Sequence, residues 1–292
     1  MDWCQFTMKL ELLETDAVEK IFCRHGAHAV TFSDAGNNPV LEPAPGSTPL
    51  WPDTKITGLF SADADIDLLR QDLLQTFGLA ELPENEISSL ADRAWEREWL
   101  KTFRPMSFGE RLWVSPHGMD VEDQQATVVW LDPGLAFGTG THETTALCLE
   151  WLAGLDLTGK RVLDLGCGSG ILSIAALKLG AAMAYGIDID QQAITASRQN
   201  AADNNVGERL ELSTQLKDFS GKYDIVVANI LAGTLIELAA DLSKRTMHGG
   251  LLALSGILSE QVEEVSGAFV DWFTLDPSVT RNNWARITGR KH

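Results

Sequence analysis

The sequence predicts an α/β protein in which a small α+β module precedes a mostly parallel sheet with crossover helices. From Arg161 onward, strand and helix patterns alternate, which is typical of a parallel sheet. Two strand-like stretches separated only by a turn follow this alternation and predict an antiparallel pair at the sheet's end. The first 77 residues instead follow a β-α-β, β-α order, which favours a ferredoxin-like module.

In the amino-terminal module, strands are expected at residues 3–10, 27–32 and 55–60, and helices at 15–25 and 65–77. The first helix places Val18, Ile21 and Phe22 on one face. Half of the ten prolines lie between Pro39 and Pro52, so that stretch is predicted to be a loop.

A charged helix is expected at residues 92–101, ending before Arg104 and Pro105. Trp95 and Trp99 lie four residues apart on it, and docking against a neighbouring domain is favoured over ligand contact. This helix divides the chain into a predicted small α+β domain at 1–90, a helical linker at 91–105 and a larger α/β domain at 106–292.

The predicted elements of the larger domain follow in order. Strands are expected at residues 161–165, 184–188, 223–228, 251–255, 268–275 and 284–288, and helices at 171–179, 191–203, 231–244 and 259–268.

The charge is strongly negative and unevenly distributed. Asp and Glu number 41 against 23 Lys and Arg, a formal net charge of -18, of which residues 1–100 supply -11 with 18 acidic and 7 basic side chains. Such a charge repels a nucleic-acid backbone and favours a basic partner. We therefore expect no direct binding to nucleic acid.

The four cysteines have no paired spacing, which argues against a disulfide framework and a structural zinc site. The amino terminus lacks the pattern of a signal peptide, and no apolar run reaches the length of a membrane span. These features favour a cytoplasmic protein outside the membrane, and a monomer needs no further assumption.

Three glycines follow the first strand of the alternating region in the spacing Asp-x-Gly-x-Gly-x-Gly, from Asp164 to Gly170. Glycines at such a turn let a ligand lie on the backbone beside a helix N-terminus. The dinucleotide fingerprint fails, since Ile171 and Ser173 occupy the positions of its third glycine. The spacing resembles motif I of class I methyltransferases, which bind S-adenosylmethionine; the alternative is a tight turn without a ligand.

Asp188 ends the next strand, 22 positions after Gly166, where a carboxylate can accept the hydroxyls of a ribose. Asp190 competes for this role, but it precedes a helix, and its side chain is expected to cap that helix.

A loop rich in glycine and threonine runs from Asp132 to Thr145 into a helix. It contains no lysine, so it is not a nucleoside-triphosphate loop. A ligand loop and a simple helix start capped by Thr141, with Glu143 in the first turn, remain alternatives. His142 could accept a proton, although a structural role is favoured.

Asn229 follows a strand at the ligand-facing edge of the sheet, within the sequence Asn-Ile-Leu-Ala. Its carbonyl could accept a hydrogen bond from an amine while its amide donates elsewhere. A cap for the helix beginning at 231 is the alternative.

Together these segments resemble the methyltransferases that modify ribosomal large-subunit protein eleven. The resemblance rests on residues 132–145, 162–170, 186–190 and 229–232 and on the ending at 284–291. Many members have proline where this chain has Glu143, and either residue suits a helix start. Asn-Ile-Leu-Ala replaces the Asn-Pro-Pro-Tyr of adenine and glutamine methyltransferases, which argues against a planar acceptor.

The resemblance implies a class I methyltransferase fold, Rossmann-like, with a mostly parallel sheet of seven strands and a small amino-terminal recognition domain. It implies contacts to S-adenosylmethionine at Thr145, Gly166, Asp188 and Asn229. Gly168, in the same glycine turn, is a further expected contact, and no metal site is expected. It also implies methylation of lysine side chains and the terminal amine of a basic ribosomal protein, to the trimethyl state.

Asn229 is expected to orient the acceptor amine. A lysine amine is almost fully protonated at neutral pH, so a desolvated pocket is expected to lower its pKa. No strong general base is assigned. An RNA methyltransferase and a cofactor-sensing module that binds a ribosomal protein without turnover are the rival interpretations.

Overall fold

A computed structural model describes residues 3–36, 50–90 and 103–292, apart from residues 122, 124, 133–137 and 139. The chain divides into two compact units, Met1–Trp95 and Glu96–His292. The predicted helix at 92–101 and most of the predicted proline-rich loop at 39–52 lie outside the described residues.

The first unit follows the order β-α-β-β-α-β. Its elements are β1 (Trp3–Lys9), α1 (Thr15–Arg24), β2 (Ala29–Asp34), β3 (Thr54–Ser61), α2 (Ile66–Phe77) and β4 (Asn85–Leu90). The strands form an antiparallel sheet in the order β2-β3-β1-β4. Alternate residues of β1 and β3, among them Phe6, Met8 and Phe60, pack with the apolar faces of both helices.

Local chemistry sets the limits of α2. The carboxylate of Asp65 accepts a hydrogen bond from the backbone amide of Leu68 at 2.9 Å, which satisfies an amide of the first turn. The helix ends at Gly78, whose left-handed backbone (φ 64°) favours glycine.

The second unit begins with a small sheet. Its strands are β5 (Met106–Phe108), β6 (Leu112–Ser115) and β7 (Thr127–Trp130). β6 pairs with β5 in antiparallel and with β7 in parallel orientation.

The main sheet of the second unit carries the site. Its strands are β8 (Arg161–Leu165), β9 (Met183–Ile187), β10 (Leu210–Ser213), β11 (Tyr223–Asn229), β12 (Thr246–Leu258), β13 (Phe273–Leu275), β14 (Val279–Arg281) and β15 (Trp284–Lys291). The order is β10-β9-β8-β11-β12-β15-β13, and β14 pairs with β15. The first five strands are parallel, whereas β15 runs antiparallel to its neighbours. The predicted α/β class with a mostly parallel sheet is confirmed, but the predicted number of seven strands is wrong, because β14 adds an eighth by pairing with β15.

Helices cover both faces of this sheet. They are α3 (Glu143–Ala153), α4 (Ile171–Lys178), α5 (Gln191–Asp203), α6 (Ala232–Arg245) and α7 (Val262–Gly267). α3, α4 and α5 contribute to one buried cluster, and α6 and α7 contribute to the other. The chain leaves β8 towards β9 and β10, then returns to β11 on the other side. The carboxyl ends of β8 and β11 therefore flank a switch point, where α/β proteins bind ligands.

Some predicted boundaries were wrong. β2 begins at Ala29, two residues later than expected, and the helix predicted at 259–268 is a 3-10 turn (Ser259–Gln261) followed by the short α7. The strand predicted at 268–275 is reduced to β13, because the amides of Ala268, Phe269 and Trp272 bond back three residues in turns. Six strands, β4 to β7, β10 and β14, were not predicted. Within the described ranges, no helix is long and apolar enough to cross a membrane.

Candidate functional site

The glycine turn, Gly166 to Gly170, links β8 to α4. Its three glycines have positive φ angles of 72°, 53° and 80°, a region that side chains with a Cβ rarely adopt. The alternating spacing seen in the sequence is thus a backbone requirement of the turn. Because the turn directly follows β8, it lies at the carboxyl edge of the sheet, at the N-terminus of α4.

The glycine turn also lies very close to the chain that follows β11. A Cβ added to Gly166 would lie 2.2 Å from Cγ2 of Ile230, and one added to Gly256 would lie 2.5 Å from the Ile230 carbonyl oxygen. Ile230 is therefore held between two glycines. Since Asn229 precedes Ile230, this packing also places Asn229 beside the turn.

Helix α5 holds the glycine turn from outside. The Ser197 hydroxyl donates to the Gly168 carbonyl at 2.8 Å, and Asn200 Nδ2 donates to the Ser169 carbonyl at 2.8 Å. Within the turn, the Gly168 amide donates to Asp188 Oδ2 at 2.9 Å.

Asp188 lies just beyond β9, as predicted, and its Oδ1 accepts from the backbone amide of Asp190 at 3.0 Å. Each carboxylate oxygen keeps a second lone pair that can accept a hydroxyl. Asp190 caps α5 by accepting from the amide of Gln192 at 2.8 Å, so its predicted capping role is confirmed.

Asn229 ends β11. Its Nδ2 donates to Thr145 Oγ1 at 3.3 Å, while its Oδ1 is buried and has no hydrogen-bond partner among the described residues. A buried amide oxygen without a partner costs free energy, so the arrangement fits a ligand that donates a hydrogen bond there. The alternative of a helix cap is wrong, because Leu231 occupies the N-cap position of α6.

The start of α3 differs from the predicted cap at Thr141. His142 is the N-cap, and its Nδ1 accepts from the amide of Thr144 at 3.4 Å and contacts the Thr144 hydroxyl at 2.8 Å. The His142 ring also meets Trp284 edge-on, with ring centres 4.8 Å apart. Glu143 lies in the first turn as predicted, and a hydrogen bond from Asn282 holds its pKa below the usual value.

One cavity of about 550 Å³ joins these features. Its lining is mostly apolar and consists of His142, Thr144, Leu165, Gly166, Gly168, Ile187, Asp188, Ile189, Asn229, Ile230, Leu231, Thr234, Leu238, Gly256 and Trp284. Four of the five predicted cofactor residues line it, and Thr145 lies behind Asn229, fully buried. Ile189 is almost fully exposed, so the cavity has an apolar rim.

Asp164 lies beneath the glycine turn. Its Oδ2 accepts from both the amide and the hydroxyl of Ser173, at 3.1 and 2.8 Å, and its Oδ1 has no partner in the described part of the chain. Burial raises the pKa of this carboxyl to about 6. The thiol of Cys167 in the turn is also buried, which raises its pKa and leaves it unreactive.

Parts of the glycine and threonine loop touch the turn. The Ser169 hydroxyl donates to the Gly138 carbonyl at 2.5 Å. Glycine suits position 138, because its φ is 97° and an added Cβ would lie 3.1 Å from Ser169 Oγ. Residues 133–137 and 139 of this loop lie outside the described residues.

Sequence reasoning missed the supporting residues of α5 and the cavity residues Trp284 and Gly256. Ser197 and Asn200 lie three residues apart on one side of α5, and that spacing could have revealed their role. Trp284 carried no local signal, since nothing in its own strand shows that it faces His142.

Comparisons with known proteins agree along the whole chain. A family model described as ribosomal protein L11 methyltransferase (PrmA) matches residues 2–292. The chain is 53% identical over 293 residues to a ribosomal protein L11 methyltransferase of Klebsiella pneumoniae subsp. pneumoniae and 52% identical over 296 residues to one of Salmonella dublin. Each of these matches covers 100% of both chains.

A solved structure is also similar. The crystal structure of a ribosomal protein L11 methylase from Lactobacillus delbrueckii subsp. bulgaricus is 33% identical, with a TM-score of 0.60. The match covers 65% of this chain and 100% of that one.

Proposed function

The chain belongs to the ribosomal protein L11 methyltransferase family, and from this premise we propose that it transfers methyl groups from S-adenosylmethionine to amino groups of ribosomal protein L11. The observation that carries the proposal is the match over residues 2–292, combined with a cavity whose lining includes the glycine turn, Asp188 and Asn229. An RNA acceptor is disfavoured by the net charge of -18.

Gly166 and Gly168 would hold the cofactor against the backbone of the glycine turn, and Asp188 would accept its ribose hydroxyls. The exposed Ile189 offers an apolar surface beside Asp188. Thr145 would act through Asn229, since its hydroxyl accepts the hydrogen bond that fixes the Asn229 amide. When bound, S-adenosylmethionine supplies an electrophilic methyl group on its sulfonium.

The residues of the cavity favour a neutral acceptor amine. The mostly apolar lining disfavours an ammonium ion, which would lower the pKa of an amine that enters the cavity. Asn229 Oδ1 is available to accept a hydrogen bond from that amine, because its Nδ2 already donates to Thr145. Alignment by Asn229 within a mostly apolar cavity is therefore the main contribution that we assign to the chain, and no strong general base is needed.

The finer assignments belong to the same proposal. The acceptors are lysine side chains and the terminal amine of L11, which are methylated to the trimethyl state. Residues 1–90 recognise the substrate, residues 91–105 link the two parts, and the enzyme acts as a monomer in the cytoplasm. The acidic first 100 residues support this division, since they suit a basic protein partner.

The test is to incubate the full-length chain with labelled S-adenosylmethionine and either purified L11 or ribosomal RNA. Label in L11 alone is expected. Label in RNA would favour the RNA alternative, and label in neither would favour a cofactor-sensing module.

Asn229→Ala tests the proposed orienting role. We expect methyl transfer to fall about 100-fold, because misplacement of the acceptor by about 1 Å has an effect of that size. Thr145→Val should act in the same direction, whereas Thr145→Ser keeps the hydroxyl that accepts from Asn229 and serves as the matched control. Full methylation by Asn229→Ala, with normal cofactor binding, would refute the assignment.

A further inference from the structure

The turn between β14 and β15 is held in place by its backbone conformation and by a backbone hydrogen bond. Only Asn282 and Asn283 separate the paired residues Arg281 and Trp284, and they have φ angles of 46° and 67°. Two consecutive residues with positive φ make the tight hairpin turn that Asn favours. The Asn283 carbonyl further accepts from the amide of Ser259 at 2.9 Å, which anchors the turn to the end of β12.

Two side chains of this hairpin bind the same face of α3. Arg281 Nη2 donates to both carboxylate oxygens of Glu150, at 3.0 and 2.9 Å, and Asn282 Nδ2 donates to Glu143 Oε1 at 2.9 Å. Glu143 and Glu150 are seven residues apart, about two helical turns, so both project from one side of the helix. We call the four side chains Arg281, Asn282, Glu143 and Glu150 the hairpin latch.

The latch joins the two elements that carry one wall of the cavity. Trp284 begins β15 directly after the turn, and His142 precedes α3 directly before Glu143. Their rings meet edge-on at 4.8 Å and 69°, and both line the cavity. The glycine turn and Asp188 are supported by different residues, from α5 and the loop after β9.

We infer that Arg281 and Asn282 are positioning residues for the acceptor side of the reaction, which hold Trp284 against His142 through the hairpin latch. Neither residue lines the cavity, so they act through that wall. The inference rests on the proposed function, which places the cofactor at the glycine turn and Asp188. The other wall of the cavity, formed by Trp284 and His142, is therefore assigned to the acceptor. Loosening the latch should impair acceptor alignment and spare cofactor binding.

The experiment uses the full-length chain with Arg281→Gln and Asn282→Gly combined. Glycine keeps the positive φ of the turn while removing the contact to Glu143. Asn283→Gly makes the same backbone change at a neighbouring exposed residue and is the matched control. Glu143→Gln, which retains an oxygen that can accept from Asn282, is compared with Glu143→Ala.

Methylation of L11 and the dissociation constant of S-adenosylmethionine are measured for each variant. We expect kcat/KM for L11 to fall about tenfold or more in the combined variant, with a smaller loss in Glu143→Ala and recovery in Glu143→Gln. Cofactor affinity should stay within about twofold of the wild type, and Asn283→Gly should behave as the wild type. A parallel loss of cofactor affinity, or no loss of kcat/KM, would overturn the inference.

A second measurement does not depend on activity. The ring of Trp284 should shift the NMR signals of the His142 ring carbons and their protons, and Trp284→Leu identifies that shift by removing it. The combined latch variant should reduce the shift, whereas Asn283→Gly should preserve it. If the latch variant leaves the NMR shift unchanged, the inference is refuted even if L11 is methylated. If the wild type methylates no L11 but the latch variant reduces the NMR shift, only the proposed function is refuted.

Discussion

Replacing Gly166 by alanine should disturb the proposed cofactor site through one added carbon atom. The new Cβ would lie 2.2 Å from Cγ2 of Ile230, whereas carbon atoms pack at roughly 3.5–4.0 Å. Relieving that overlap requires the Ile230 side chain to rotate or the glycine turn and the chain at Ile230 to separate by about 1 Å. Both segments line the cavity, so the change acts directly on the positions of Gly168 and Asn229.

Two effects contribute and can be separated. Alanine at φ 72° costs about 1–2 kcal/mol of folding free energy wherever it occurs. Gly159 has a φ of 71° and open space around its Cβ position, so Gly159→Ala carries the backbone cost without the overlap. Gly166→Ala should lose more stability than Gly159→Ala, because the overlap adds to the backbone cost. It should also lower cofactor affinity by about tenfold and methyl transfer by about 100-fold.

The assay is calorimetric titration with S-adenosylmethionine, followed by methyl transfer to L11. Removing Cγ2 with Ile230→Ala leaves the nearest Ile230 atom, Cβ, at 3.7 Å from the new methyl group, which is an ordinary contact. The double variant should therefore bind the cofactor nearly as well as Ile230→Ala alone. A double variant no better than Gly166→Ala, or a Gly166→Ala protein with normal affinity, would refute the reasoning.

Three further predictions concern charge and the cysteines. The raised pKa of Asp164, about 6 against 3.8 for the ordinary group, means that its contribution to stability is complete below about pH 4 and is lost as pH rises through about 6. The free energy of unfolding of Asp164→Asn, measured by urea denaturation from pH 4 to 8, should therefore rise by up to about 3 kcal/mol relative to that of the wild type. A difference between the two proteins that stays constant with pH would contradict this prediction. Added salt should weaken L11 capture more steeply than cofactor binding, since the acidic first 100 residues are assigned to the basic partner; equal salt slopes in binding assays would count against that assignment. The exposed Cys23 should react with a thiol reagent well before the buried Cys148, whose pKa is raised to about 12, as mass spectrometry of the labelled peptides would show.

The parts of the fold that sequence predicted are those with local signals. β8, the glycine turn and α4 follow one another within 18 residues, and the apolar periodicity and glycine spacing are sufficient to identify them. The missed strands β5, β6, β7, β10 and β14 are three or four residues long, too short for a period of two to be recognised. They exist because neighbouring strands supply hydrogen-bond partners that a single segment does not reveal.

The same distinction applies to the site. Asp188 and Asn229 were predicted because each ends an apolar strand, and the carboxyl ends of parallel strands share one edge of a sheet. The hydrogen bonds that hold such side chains in place were not predicted. Asn229 and Thr145 are 84 residues apart, and Arg281 and Glu150 are 131 apart. No periodicity links residues at such separations.

The sequence by itself therefore determined the α/β class, the uneven acidity, the glycine turn and the strand ends that carry Asp188 and Asn229. Each of these depends on residue type and on spacing within one element or its boundary. Only the tertiary structure decided that His142 caps α3, that Asn229 Oδ1 is left without a described partner, and that Trp284 completes the cavity wall. Those features arise when separate elements pack, and packing brings together side chains whose sequence positions carry no record of their proximity.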